Sequence, residues 1–172
     1  MFNRLFKQKN TIAKDLYASA LENTRLEVFY REYSVPDSFD GRFDLLLLHI
    51  FIILRRIKGQ DNYDELSQDL FNVMFKDMDQ TLREMGIGDV GIPKHMKKMM
   101  LAFNGRMHAY QEAVSSAKAL RGVVARNLYA MELGDDALDE NDLDYICAFM
   151  RSNLDSYKNI GKFVMLENKN AG

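Results

Sequence analysis

Met85-Gly86-Ile87-Gly88-Asp89-Val90-Gly91-Ile92-Pro93-Lys94-His95-Met96-Lys97-Lys98-Met99 is the stretch on which the fold turns. It contains a G-x-G-x-x-G spacing at Gly86, Gly88 and Gly91, the pattern of a dinucleotide-binding fingerprint. That fingerprint works only where a strand runs in and a helix runs out of a βαβ unit, with the pyrophosphate on the helix N-terminus. Here the preceding residues, Met74 to Glu84, repeat their apolar side chains at helical spacing. The three glycines therefore predict a sharp helix-to-helix turn. Pro93, with its φ already near the helical value, opens the helix that follows.

Outward from this turn the pattern is helical nearly throughout. The two prolines, Pro36 and Pro93, both stand at helix starts, and period-two alternation of the strand kind is missing. A first helix is predicted from about Ile12 to Tyr33, broken at Val35-Pro36-Asp37 because the residue before a proline avoids the α region. A second starts near Asp37 or Ser38 and carries the run Leu45-Leu46-Leu47-Leu48-His49-Ile50-Phe51-Ile52-Ile53-Leu54. Apolar on most faces, it belongs in the middle of a bundle, with Gly59 ending it. Asp61 is placed to cap the third helix, whose stripe runs from Leu66 to Met85. A long fourth segment follows Pro93, with a bend expected near Ser115-Ser116 and a stop at Gly134. A last helix is expected over about 140–160. The expectation is an all-α, single-domain helical bundle of about six helices: 1–11 a flexible basic and apolar N-terminus, 12–161 the helical domain, 162–172 a loose tail.

The chain has 172 residues and a net charge of −2, so one domain with one core suffices and no global charge calls for nucleic acid. The single cysteine, Cys147, excludes an internal disulfide and a cysteine metal cluster, and its setting in Tyr145-Ile146-Cys147-Ala148-Phe149 reads as helix core. The longest apolar run is far shorter than the roughly 20 residues of a spanning helix. Basic residues near the start (Arg4, Lys7, Lys9) lack the apolar region of a secretory signal behind them. A soluble or peripheral protein is expected.

Catalytic patterns are missing. His49, His95 and His108 form no H-E-x-x-H, and His95 and His108 stand 13 residues apart on one helix, about 20 Å along its axis. His49, within the apolar run, reads as a core or partner-facing histidine. No nucleophile elbow, P-loop or S-x-x-K occurs. Residues 135–144 hold six acids and no base, yet lack the glycine of a calcium loop, so they read as an acidic linker with Asp139 capping the last helix. No enzyme, no cofactor and no metal are expected.

Three other features suggest binding. Seven of the 11 methionines lie between Met74 and Met107, and flexible thioethers suit surfaces that accept varied apolar partners, though the same spacing fits plain core filling. Lys94, His95, Lys97 and Lys98 follow the turn, where they oppose the helix macrodipole, and so suggest a partner or an anionic membrane surface over a merely solvated face. Phe2, Leu5 and Phe6 beside the N-terminal bases suit weak membrane contact or a frayed end.

The segments Pro36-Asp37-Ser38-Phe39-Asp40-Gly41-Arg42-Phe43-Asp44, Leu48-His49, Leu54-Arg55-Arg56, Leu70-Phe71, Phe75-Lys76-Asp77-Met78-Asp79, Leu82-Arg83-Glu84-Met85-Gly86-Ile87-Gly88-Asp89, Pro93-Lys94, Met99, Phe103-Asn104-Gly105-Arg106 and Ala109-Tyr110 follow one another in order. Together, over about residues 36–114, they resemble the ubiquinol–cytochrome c chaperone family in its alphaproteobacterial form. The resemblance implies a non-catalytic assembly chaperone for the cytochrome bc1 complex (respiratory complex III), without metal or nucleotide. Its client would be newly made cytochrome b or another bc1 subunit, met at the membrane face, which for a bacterial relative implies a cytoplasmic protein, peripheral on the cytoplasmic face of the inner membrane. Under it, the residues expected to contact the partner are Gly86, Gly88, Asp89, Lys94, Lys97, Lys98, Arg106 and Tyr110. Arg42 and Asp44 are alternatives that would otherwise pair across the bundle, and Asp89 could instead cap the helix that Pro93 opens. A helical carrier of a quinone, haem or lipid between Met-rich helices is the rival class.

Overall fold

The computed structural model describes residues 2–131, 133–154 and 161–166, with side chains from Thr11 onward. Its order is α1 (Phe2–Thr24), α2 (Glu27–Arg31), α3 (Phe39–Ile57), α4 (Tyr63–Glu84), α5 (Ile92–Ala113), α6 (Ala117–Val124), a π-helical turn (Ala125–Tyr129) and α7 (Glu140–Leu154). The chain is thus an all-α bundle, with six α-helices of eight residues or more and one of five among the described residues. The anchors Phe2, Leu5 and Phe6 lie outside the described side chains.

α3 is the axis of the bundle. It touches α1, α5, α7 and the π-helical turn. One side of it, with Leu45, Leu48, Phe51 and Ile52, joins a core made with α6 and α7. The other side, with Leu46, Leu47, Ile50, Ile53 and Ile57, joins a core made with α1 and α4. A helix buried on both sides must be apolar all round, and each leucine or isoleucine withdrawn from water contributes about 1.5–3 kcal/mol.

The helix ends follow local chemistry. The Ser38 hydroxyl accepts from the Gly41 N–H at 3.1 Å and starts α3. Ser116 does the same for Ala119 at 3.3 Å and starts α6, so the expected bend near Ser115-Ser116 is a true break. Asp139 caps α7 through the Asn141 N–H at 2.8 Å. Glu140 and Asp144 pair with Arg121 of α6, which accounts for part of the acidic run.

Other boundaries moved. α1 begins at Phe2 instead of about Ile12, and its predicted continuation to Tyr33 breaks at Arg25-Leu26. Asn62, not Asp61, precedes α4, and no side chain caps that end. The segment after α6 ends at Ala130, whose φ of 55° leaves the right-handed region before Gly134 is reached.

Residues 161–166, placed by the sequence largely in a loose tail, are bonded to the bundle. Buried Arg56 donates to the Asn153 side chain at 2.9 Å and to the Lys162 carbonyl at 2.7 Å. Asn153 in turn accepts from the Val164 N–H at 2.9 Å and donates to the Val164 carbonyl at 3.0 Å. Phe163 completes this by lying under the Arg56 guanidinium, 5.1 Å from the ring centre. Residues 167–172 lie outside the described part.

Candidate functional site

The turn between α4 and α5 closes as a Schellman motif. The Ile87 N–H reaches the Leu82 carbonyl at 3.1 Å and the Gly86 N–H reaches the Arg83 carbonyl at 2.9 Å. Gly86 has φ +85°, whereas Gly88 and Gly91 do not leave the ordinary region. One glycine of the three is therefore required by backbone conformation. Gly86→Ala is expected to lower stability by about 1–2 kcal/mol. Gly88→Ala should be neutral, since an added Cβ there would meet nothing within 4 Å. Urea midpoints of the two variants check this.

Asp89 does not cap α5. Gly91 occupies that position and no side chain caps it. The Asp89 carboxylate instead pairs with Arg83, which also holds Asp79 at 2.7 Å. Arg83 thus ties the turn back onto α4. The tip of the turn carries Val90, 96% exposed, next to the paired Asp89, and Met85 at the end of α4 is 55% exposed.

α5 has two unlike faces. Met99, Tyr110 and Ala113 are buried, and Met96, Phe103 and Met107 are half-buried against the core. The methionine stripe is therefore mainly the inner face, with Met74 and Met78 of α4 packed into the same core. The outer face carries Lys94, Lys97, Lys98, Leu101, Gly105 and His108, at the i, i+3, i+4, i+7 spacing of one helix side. Leu101 is 63% exposed and Met100, at the edge, 40%. Among the described residues no carboxylate pairs with Lys94, Lys97 or Lys98.

The remaining expected contact residues work from elsewhere. Arg106 donates from Nε to Asp44 at 2.8 Å and so fastens α5 to α3. Burial raises the Asp44 pKa from its usual value, and the Arg106 bond opposes that rise. Tyr110 is fully buried, its ring tilted against Phe51 with centres 5.3 Å apart. Burial, then the Asp44 charge, push its phenol pKa up. Tyr110 is thus a core residue and not a surface contact, because its ring falls on the inner side of α5. Arg42 is exposed, pairs with Asp37 at 2.6 Å and lies over the Tyr30 ring at 4.7 Å. The turn and the α5 lysines adjoin along the chain, while Arg42 serves the start of α3. The exposed Val90 and Leu101 were not singled out from sequence; an apolar residue inside a glycine turn, and one on the lysine side of a helix, were the available signals.

Cys147 is buried, which pushes its thiol up to about 11 and leaves it unreactive. Among the described residues no group of His, Cys, Asp or Glu could hold a metal ion, and no strand precedes the glycine turn to build a dinucleotide site. No described helix is long and apolar enough to cross a membrane.

The ubiquinol-cytochrome C chaperone family model matches residues 31–169. The chain belongs to this family. The crystal structure of the Cbp3 homolog from Brucella abortus superposes with a TM-score of 0.71 and 32% identity, over 97% of both chains. Ubiquinol-cytochrome c reductase complex assembly factor 1 of Mus musculus is 26% identical over 133 residues, 76% of this chain and 45% of that protein. The Xenopus laevis protein of that name is 24% identical over 133 residues, covering 76% and 66%. The chain therefore spans less than half of the mouse relative and about two thirds of the frog one. The match from residue 31 means that the family's shared part starts after α1 and takes in the turn, both faces of α5 and all of α7.

Proposed function

We propose that this member of the ubiquinol-cytochrome C chaperone family is a non-catalytic assembly factor for the ubiquinol–cytochrome c reductase complex. Its client is newly made cytochrome b, held at the cytoplasmic face of the inner membrane. The observation that carries this is the outer face of α5 with its turn: lysines without carboxylate partners next to exposed Val90, Met100 and Leu101. An apolar segment with anionic neighbours, such as a membrane protein's helix end before insertion, is matched by such a surface. In this reading Lys94, Lys97 and Lys98 contact the client, Gly86, Gly88 and Asp89 shape the turn, and Arg106 with Asp44 holds α5 in place. A quinone or haem carrier would need space between the methionines, and Met74, Met78 and Met99 are instead packed in the core.

Co-purification of cytochrome b with the tagged protein tests the proposal. The triple reversal Lys94→Glu, Lys97→Glu, Lys98→Glu should cut capture by about tenfold or more, each pair being worth a charge contact at an interface rim or better. Helix content should stay unchanged and the urea midpoint should not fall, since these side chains are exposed and glutamates at the start of α5 no longer oppose its macrodipole. Undiminished capture by that variant overturns the assigned face.

A further inference from the structure

A cleft of about 350 Å³ opens between the C-terminal half of α3, the start of α4 and the C-terminal half of α5. Phe51, Leu54 and Met107 give it apolar walls. Arg55, Lys58, His108, Gln111 and Tyr63 give it polar ones. Among the described residues no carboxylate lines it. Among the described residues Arg55 makes one long bond, from Nη1 to the Gln111 side-chain Oε1 at 3.4 Å, which leaves its other guanidinium N–H groups for a ligand. The volume lies in the range of small-molecule sites. Two permanent cations over an apolar floor call for an amphiphile with an anionic head, since a bare anion would leave the floor unused.

The setting says which amphiphile. His108 stands on the same side of α5 as Lys94, Lys97 and Lys98, so the basic outer face runs into the cleft at that residue. From Lys94 to His108 this face extends about 21 Å along the helix. Leu101 and Met100 stand out of it between the two ends. Lysines with exposed apolar side chains among them are the makings of a helix lying on an anionic bilayer. Glu112, at the far end, is the one acid on that side of α5. A bilayer laid along α5 brings its headgroups to the cleft mouth.

We propose that this cleft binds the phosphate of an anionic membrane phospholipid between Arg55, Lys58 and His108, with the first part of an acyl chain against Phe51, Leu54 and Met107. This rests on the membrane-surface part of the function proposed above and adds the lipid that holds the protein there. It requires no client, so the two can fail separately.

The test is sedimentation of the full chain with phosphatidylcholine vesicles, with and without a phosphatidylglycerol fraction. Binding is expected only to the anionic vesicles, falling as salt is raised. The double variant Arg55→Gln, Lys58→Gln keeps side-chain stems and helix propensity. It should weaken that binding by about 30-fold, taking each basic side chain at its usual strength near an anionic surface. A short-chain phosphatidylglycerol, below its micelle concentration, should shift the Met107 methyl signal and leave Met131 in place. Equal binding by the double variant overturns the site. A Met107 shift produced equally by inorganic phosphate alone overturns the lipid assignment in favour of a free anion. A shift produced instead by a peptide's C-terminal carboxylate, with no response to the lipid, assigns the cleft to a protein ligand and also overturns it. Loss of cytochrome b capture with vesicle binding intact bears on the client face alone.

Discussion

Gly41→Ala is expected to lower stability by about 3 kcal/mol or more, a large part of the 5–15 kcal/mol usual for a domain. Gly41 is the third residue of α3, a place where alanine normally helps a helix. A Cβ built there would lie 2.1 Å from the Pro36 carbonyl oxygen and 2.9 Å from its carbonyl carbon. Both are backbone atoms, so no side chain can swing away to relieve the overlap. Either the first turn of α3 or the Pro36 peptide must move. That motion strains the Ser38 cap at 3.1 Å and pulls at Val35, which is 2% exposed in the core. Gly105→Ala in α5 is the matched control, because nothing lies within 4 Å of its added Cβ. It should gain roughly 0.5–1 kcal/mol from helix propensity alone. Urea midpoints read both, and a Gly41→Ala protein as stable as the parent would contradict the close contact.

Stability should also fall on mild acidification, through His49. This residue is fully buried on α3. Its Nδ1 donates to the Leu45 carbonyl at 2.9 Å, which puts the proton on that nitrogen, and the Thr24 hydroxyl stands 3.4 Å away. Nε2 is buried with no hydrogen-bond partner among the described residues. Phe29, Phe149 and Phe163 surround the ring at 4.7–5.6 Å between centres. Burial lowers its pKa to about 4, the Leu45 bond opposes that, and the Arg56 charge adds to it. The folded protein therefore holds the ring neutral, while the unfolded chain protonates it near the ordinary value of 6.5. Between these two values the unfolded state binds more protons, so stability is full above about pH 6.5 and is lost as pH falls toward 4. At about pH 4.5 the loss from this one group is on the order of 2–3 kcal/mol. His49→Leu, which cannot titrate, should lose that much less than the parent between about pH 7.5 and about pH 4.5. Equal losses in the two proteins would mean that the ring is protonated inside the fold.

Much of this was legible in the sequence because helical periodicity, capping and turn chemistry are local. The apolar run of α3, the Gly86 turn and the Asp139 cap each depend on residues within a few positions of one another, and each was found where expected. The break of α1 at Arg25-Leu26 was missed, since its apolar spacing continues across the break. The hold on residues 161–166 was missed as well, because it comes from Arg56 and Asn153, over 100 and about ten positions away.

For the site the division is similar. The unusual run of lysines after the turn is a sequence fact, and so is the resemblance that led to the family. Which way each residue of α5 faces was settled only by packing. Tyr110, Met96, Met99 and Met107 go inward, Arg106 crosses to Asp44, and Met100 and Leu101, with Val90 of the turn, are left outside. The sequence alone determined that this is an all-helical chain with a glycine-closed turn ahead of a basic helix, because those follow from neighbours along the backbone. Only the tertiary structure decided that Gly41 must be glycine, that His49 is sealed among phenylalanines, and that Arg55, Lys58 and His108 line one cleft. Those depend on which distant segments meet, and burial, close approach and shared charge exist only once they have met.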